Sequence, residues 1–374
     1  MKSNQPSATV RLLWAKARAN PLLFAFILGL AAFSLYWPEQ VPHYPAFVDW
    51  PTMFSLAGLL ILTTAIKESS LFLHLARGIL AKMAHERGLA LLLVTFAALL
   101  SMFLTNDVTL FILVPLTLAL HDNLRLDLAK FIIFEALAVN VGSSLTPIGN
   151  PQNLFLWHHA GVSFVRFVYE MLPLELVLLG MLLAFTCLVF KPTPLSLRPA
   201  GDARRVDRWL LAGSLTAFLL FLGAIELGHA GAGLAGVGLL SLFFFRRVLV
   251  KVDWLLLMLF LVMFIDLHLV AQIPLVRQGM ASLGLAQARN LYLAGLVSSQ
   301  VLSNVPAAML LAKFSSNWVV LAYAVNVGGS GLVIGSLANI IALRMAGSPG
   351  IWLGFHKYSV PFLLATALAA FFLL

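Results

Sequence analysis

The segment AVNVGSSLTPIGNPQNL at residues 138–154 returns at residues 324–340 as AVNVGGSGLVIGSLANI, with nine of 17 positions identical and no gap. The matches include Asn, Gly and Ser, so a shared apolar bias does not produce them. Upstream of each copy stands a similar short tip, Leu104-Thr105-Asn106 in one half and Leu302-Ser303-Asn304 in the other. Further upstream an Asp-Trp pair opens an apolar run, at Asp49-Trp50 and again at Asp253-Trp254. Order and content repeat together, so the chain is built from two related halves.

Both halves lie in a chain of 374 residues that is 61% hydrophobic and only 10% charged, a balance foreign to water-soluble domains. A soluble enzyme is thereby excluded. A helix rises about 1.5 Å per residue and needs roughly 20 apolar residues to cross a bilayer, and such runs occupy almost the whole chain. We expect an all-α polytopic membrane protein with spans at 21–38, 51–67, 131–156, 172–190, 209–227, 229–245, 253–270, 317–343 and 359–374. Two more apolar stretches, 88–120 and 290–312, are interrupted at Thr105-Asn106-Asp107 and Ser303-Asn304-Val305-Pro306. Read as re-entrant hairpins, they leave about nine transmembrane helices. The run from Pro21 is too long for a signal-peptide core and reads as a retained first helix.

Charge sets the orientation. With the N-terminus in the cytoplasm, segments 1–20, 67–87, 121–130, 191–208, 246–252 and 344–358 hold 20 of the 24 Lys and Arg residues, in line with the positive-inside rule. Arg166, Arg277, Arg289 and Lys313 fall elsewhere. The formal +9 thus reports topology and calls for no nucleic acid. In this arrangement the C-terminus is periplasmic, and the span after Asp49-Trp50 runs opposite to the span after Asp253-Trp254. The repeats are inverted, the plan by which many secondary transporters join two half-sites near the bilayer midplane. The expected organisation is a cytoplasmic N-terminal segment 1–20, a first repeat 21–190, a basic linker with connecting helix 191–228, and a second repeat 229–374. Segments 69–87 and 271–289 read as interfacial helices on opposite membrane surfaces. Cys187 lies alone in an apolar run and forms no intrachain disulfide.

Helix-breaking clusters, Gly142-Ser143-Ser144 with Pro147 and Gly328-Gly329-Ser330-Gly331, sit inside segments that must cross the membrane. Freed backbone is tolerated there only in a protein interior or beside water. Broken helices 131–156 and 317–343 then offer N–H groups to an anion and carbonyls to a cation; small residues also serve close helix packing. Asn106, Asn140, Asn304 and Asn326 each bring an amide that both donates and accepts. Asp107, a carboxyl at a hairpin tip within the membrane, is costly unless paired, hydrated or protonated, so one group there can couple proton and cation occupancy; a helix-capping role is the alternative. Glu135 lies five residues before Asn140 and faces either the same cavity or a basic group near the inner surface. Asp266 with His268 falls in a supporting span, and His158-His159 reads as interfacial. No P-loop motif points to ATP, and neither a catalytic triad nor a set of metal ligands stands out.

At these residues the chain resembles the ion transporter superfamily, which includes divalent anion/sodium symporters, citrate permeases and arsenite permeases. The resemblance covers nearly the whole chain. It implies a homodimer in the bacterial inner membrane whose scaffold carries the interface, while hairpins and broken helices form a transport unit moving elevator-fashion. It also implies substrate and ion binding at Thr105, Asn106, Ser303 and Asn304, with the loops Gly142 to Pro147, Thr146 included, and Gly328 to Gly331. Asp107 and Val305 replace the third, hydroxyl-bearing tip residue of the symporters. A fixed anion at low dielectric opposes a doubly charged substrate, and the arsenite permeases are similar in their Asn-Asp tip. The expected activity is transport of a small anion, oxyanion or organic acid, coupled to H⁺ or Na⁺ and needing no other cofactor. A sodium/proton antiporter using Asp107 is the alternative, and a membrane enzyme or channel a remoter one.

Overall fold

The computed structural model describes residues 21–80, 84–119, 127–195, 205–348 and 350–374. The N-terminal segment 1–20 and residues 196–204 of the basic linker lie outside them. Among the described residues the regular structure is helical, with no strand and one isolated bridge between His85 and Pro194. The elements are α1 (Pro21–Tyr36), α2 (Trp50–Glu68), α3 (Leu71–Leu80), α4 (Glu86–Phe103), α5 (Asn106–Leu118), α6 (Leu128–Gly142), α7 (Pro151–Ala160), α8 (Phe164–Val189) and α9 (Arg208–Glu226). They continue as α10 (Ala230–Phe244), α11 (Trp254–Gln272), α12 (Pro274–Ser282), α13 (Ala288–Leu302), α14 (Asn304–Leu311), α15 (Trp318–Gly328), α16 (Leu337–Ala346) and α17 (Ile351–Phe371). Among these, α2, α4, α8, α9 and α11 are long and apolar enough to cross a membrane singly. The fold is that of a polytopic all-α membrane protein.

The repeated Asp-Trp pair has a local function. Asp49 Oδ1 accepts from the Thr52 amide at 2.9 Å and Asp253 Oδ1 from the Leu256 amide at 3.2 Å, so each carboxylate caps the helix that follows. Each indole then donates back to a carbonyl five residues earlier, Trp50 to Pro45 and Trp254 to Leu249, both at 2.9 Å. Both halves therefore start their spans with one device.

Two boundaries move. Helix α8 starts at Phe164, capped by Ser163, so the fourth span is longer than residues 172–190. The C-terminal helix begins at Ile351 rather than at 359. The breakers there are Gly347 and Gly350, both at positive φ, and the charge on Lys357 does not end a helix, because Lys357 Nζ lies over the Tyr358 ring and long side chains snorkel. After α1 the chain turns by 117° at Trp37 into residues 38–47, where Pro38 and Pro42 supply no amide donor.

Packing sorts the helices into two groups. Helices α2, α9 and α10 pack on one another and α1 lies along α11, while the hairpins α4–α5 and α13–α14, the broken helices α6/α7 and α15/α16, and α8 and α17 pack together. The second group holds a buried aromatic cluster, with Phe190 4.8 Å from Phe131 and 5.0 Å from Phe134. The groups meet where α2 touches α7 and α5 and where α11 touches α14.

Candidate functional site

Each hairpin tip is fastened to the loop of its own broken helix. In the first half the Asn106 amide donates to Gly149 O at 3.0 Å and Thr146 Oγ1 to Met102 O at 2.6 Å. In the second half the fastening side chain belongs to the hairpin: Gln300 of α13 donates to Gly328 O at 2.7 Å and accepts from the Leu332 amide at 2.8 Å. Close approach needs glycine at the helix crossing, where a methyl group on Gly142 would lie 2.1 Å from the Ala98 carbonyl oxygen.

Across the halves, four asparagines pair reciprocally. Asn140 Nδ2 donates to Asn339 Oδ1 at 2.8 Å, and Asn326 Nδ2 donates to Asn153 Oδ1 at 2.7 Å. Asn140 and Asn326 are repeat equivalents, as are Asn153 and Asn339, so one bond is the image of the other. Asn326 Oδ1 also accepts from Asn150 at 2.9 Å and Gln152 at 3.4 Å. The amide of Asn153 reaches the carbonyls of Ser143, Ser144 and Thr146 at 3.0–3.2 Å, and that of Asn339 reaches Gly329 O at 2.9 Å. Gly329 in turn lies against Asn304 Nδ2 and Asn140 Oδ1. The four paired asparagines are buried and hydrogen-bonded, as membrane interiors require, while Gln152 Oε1 has no partner among the described residues. Of the expected site residues, the structure gathers Asn140, Ser143, Ser144, Thr146, Asn304, Asn326 and Gly329, with Gly142, Pro147, Gly328 and Ser330 in the supporting loops.

Asp107 faces elsewhere. It lines a cavity of about 170 Å³ with Pro21, Asp253, Leu256, Ile340 and Arg344, at the ends where α1 and α11 begin and α16 finishes. None of the four paired asparagines lines that cavity. Asp107 is 6% exposed, and its Oδ1, like the Thr105 and Thr109 hydroxyls on the same helix start, has no protein partner. Asn106 Oδ1 accepts from the Asp107 amide at 3.0 Å. Of the alternatives open for Glu135, neither a basic partner nor the asparagine cluster receives it. Its Oε1 accepts from the Thr117 hydroxyl, while the basic group nearby, Lys130, pairs with Glu86 at 2.7 Å.

Of the remaining candidates, His158 and His268 sit at the meeting of the two groups and Asp266 lies within the α1–α11 pair. Asp266 faces Gly29 of α1. His158 is more than interfacial, since its Nε2 and Ser55 Oγ share a bond at 2.9 Å. His268 stacks on Phe47 at 4.0 Å, and its Nδ1 lies 3.5 Å from Lys313 Nζ. Burial holds the Lys313 ammonium below its ordinary range, with Asp49 opposing.

Sequence reasoning passed over Asn150, Gln152, Asn153, Asn339, Gln300 and Glu175. Asn153 and Asn339 were visible as an identical pair in the repeat. Glu175 was visible as an acid inside the span 172–190. It is 2% exposed, and its Oε2 accepts from Ser144 Oγ at 2.7 Å.

The tips differ in backbone. Thr105 has φ −63°, but Ser303 has φ 78° and ψ 156°, a region all but reserved for glycine and costing other residues about 1–3 kcal/mol. Ser303→Gly is expected to stabilise the protein by about 1 kcal/mol, read as a raised thermal midpoint; an unchanged or lowered midpoint removes strain from the account of this tip.

The chain matches the model of the family described as "Citrate transporter" over residues 11–317. It is 42% identical over 357 residues to the inner membrane protein YbiR of Escherichia coli (strain K12), covering 94% of each chain. It is 34% identical over 312 residues to the uncharacterized transporter MJ0456 of Methanocaldococcus jannaschii, covering 83% of this chain and 84% of that one. A shorter likeness, 29% over 166 residues, joins 44% of this chain to 34% of the silicon efflux transporter LSI3 of Oryza sativa subsp. japonica.

Proposed function

The chain belongs to the citrate transporter family, and from that membership we propose that it is a secondary active transporter of a small anion, oxyanion or organic acid across the inner membrane, coupled to H⁺ or Na⁺. The observation that carries this is the reciprocal asparagine pairing. The pairing joins the two repeated loops into one polar body, the kind of central site that inverted-repeat transporters use for alternating access. That body, with its hairpins and α8 and α17, is the unit that slides against α2, α9, α10 and the α1–α11 pair. The other group carries the interface of a homodimer. The N-terminus is cytoplasmic and the C-terminus periplasmic, so the cavity beside Asp107 opens inward, and Thr105, Asn106, Ser303 and Asn304 face the substrate as the unit moves.

Two carboxyls, Asp107 and Asp253, line the inner cavity with one guanidinium, Arg344. At low dielectric the excess of acidic groups opposes a free polycarboxylate and favours a substrate entering protonated or neutral. The panel for reconstituted proteoliposomes under imposed pH or sodium gradients takes citrate and orthosilicate from the names of the family and of a relative, and adds smaller carboxylates and, for the Asn-Asp tip, arsenite. Gradient-driven accumulation of one class is the expected result; ion flux far above carrier turnover would make the protein a channel. The unpartnered Asp107 Oδ1 favours one second reading, sodium/proton antiport, which the same vesicles test without organic substrate. Under either reading Asp107→Asn is expected to lower gradient-driven flux at least tenfold, about 1.4 kcal/mol in the barrier to transport. Flux with intact coupling and pH dependence in that variant would remove Asp107 from the mechanism.

A further inference from the structure

Glu175 projects from α8 against the first broken-helix loop, and the second half shows what that position needs for folding. Helices α8 and α17 are repeat equivalents, each with an interior proline, Pro173 and Pro361. Two residues on from each proline stand Glu175 and Leu363. Leu363 lies against Gly331 of the second loop, as Glu175 lies against Ser144 of the first. An apolar side chain therefore satisfies the architecture. The same holds along the repeat, where Asp107 is matched by Val305 and Glu135 by Leu321. Asp107, Glu135 and Glu175 thus have no acidic counterpart in the second half, whose own buried acid, Asp266, stands on α11.

The described ion pairs are Lys130–Glu86, Arg166–Glu170 and Lys251–Glu68, and none includes Glu175. Among the described residues its Oε1 has no partner. An unpaired buried charge in a membrane protein is retained at a cost of several kcal/mol and marks an ion or proton pathway. The elements packed on α8 are α4, α6, α15 and α17. Their titratable groups are Glu86 and Arg87, Lys130 and Glu135, Tyr323, and His356, Lys357 and Tyr358. Glu86 and Lys130 neutralise each other, Glu135 is held by Thr117, and the Tyr323 hydroxyl donates to the Glu170 carbonyl at 2.8 Å.

We propose that Glu175 is a further coupling group of this transporter, a proton carrier that acts on the substrate loop through Ser144. The proposal rests on the transport function above. The proton sits on Oε1, the oxygen that Ser144 leaves open, and returns to water when the acid ionises. Ser144 Oγ donates to Oε2 in both states, so loss of the proton strengthens this bond and pulls on the loop whose carbonyls Asn153 gathers.

The test uses the purified full chain, with the proton as probe. Infrared difference spectra across neutral pH are expected to show the carbonyl band of a protonated buried carboxyl gained and lost. Glu175→Leu, which installs the residue of the second half, is expected to fold, to lack that band and to take up one proton fewer. Glu175→Gln is expected to do the same should the leucine variant fold poorly, and Ser144→Ala to move the band's titration. A band and proton count unchanged in both Glu175 variants overturn the proposal. Since no substrate enters this experiment, a failed transport panel would overturn the function and leave the Glu175 result standing.

Discussion

Gly142→Ala is expected to abolish the folded protein, seen as loss of the monodisperse peak on size exclusion in detergent. The added methyl would stand 2.1 Å from the Ala98 oxygen and 2.5 Å from its carbonyl carbon and Cα. No side-chain rotation relieves a collision with backbone. Overpacking a flexible core costs about 1–3 kcal/mol, and here α4 and α6 must separate, which also breaks the anchoring of the first tip. Gly180→Ala on α8 is the control: a methyl there meets nothing within 4 Å, and alanine favours the helix by about 1 kcal/mol. Equal behaviour of the two variants would mean that the crossing of α4 and α6 is not tight.

The second large effect is expected at Asn153→Ala, a loss of about 3–5 kcal/mol in thermal unfolding. That substitution removes the donor from the carbonyls of Ser143, Ser144 and Thr146 and the acceptor from Asn326. Each buried group left unpaired costs about 1–3 kcal/mol, reduced where lipid-embedded groups find other partners. Asn339→Ala is expected to cost less, because Asn339 donates at 2.9 Å to Gly329 O and only at 3.4 Å to Leu332 O. A double-mutant cycle between Asn153 and Asn326 is expected to give a coupling of about 0.5–2 kcal/mol, and additivity there would dissolve the reciprocal pairing.

Much of the fold was legible because membrane helices are set by local composition. The broken helices lie where Gly142, Pro147 and Gly328 placed them, and the Asp-Trp pairs mark helix starts. The long C-terminal helix was less legible, since a charged window of His356 and Lys357 reads as a loop until the snorkelling geometry is known. The site was half legible. Repetition singled out Asn140 and Asn326, but the partners of those amides come from the opposite half, and such long-range pairing leaves no local trace. Asp107 stands out in sequence as an acid within an apolar stretch, but its direction, away from the asparagines and into the cavity with Asp253, follows from the packing of α1, α11 and α16 around it.

Reciprocal pairing also bears on how the protein is made. Ribosomes release the first half into the membrane while the second is still being translated. Until α15 and α16 arrive, Asn140 lacks Asn339 and Asn153 lacks Asn326. The first half made alone therefore carries one open donor on Asn140 and one open acceptor on Asn153 in an apolar layer. It must keep them wet or shielded by the insertion machinery, and it becomes a finished structure only when its younger copy closes both bonds.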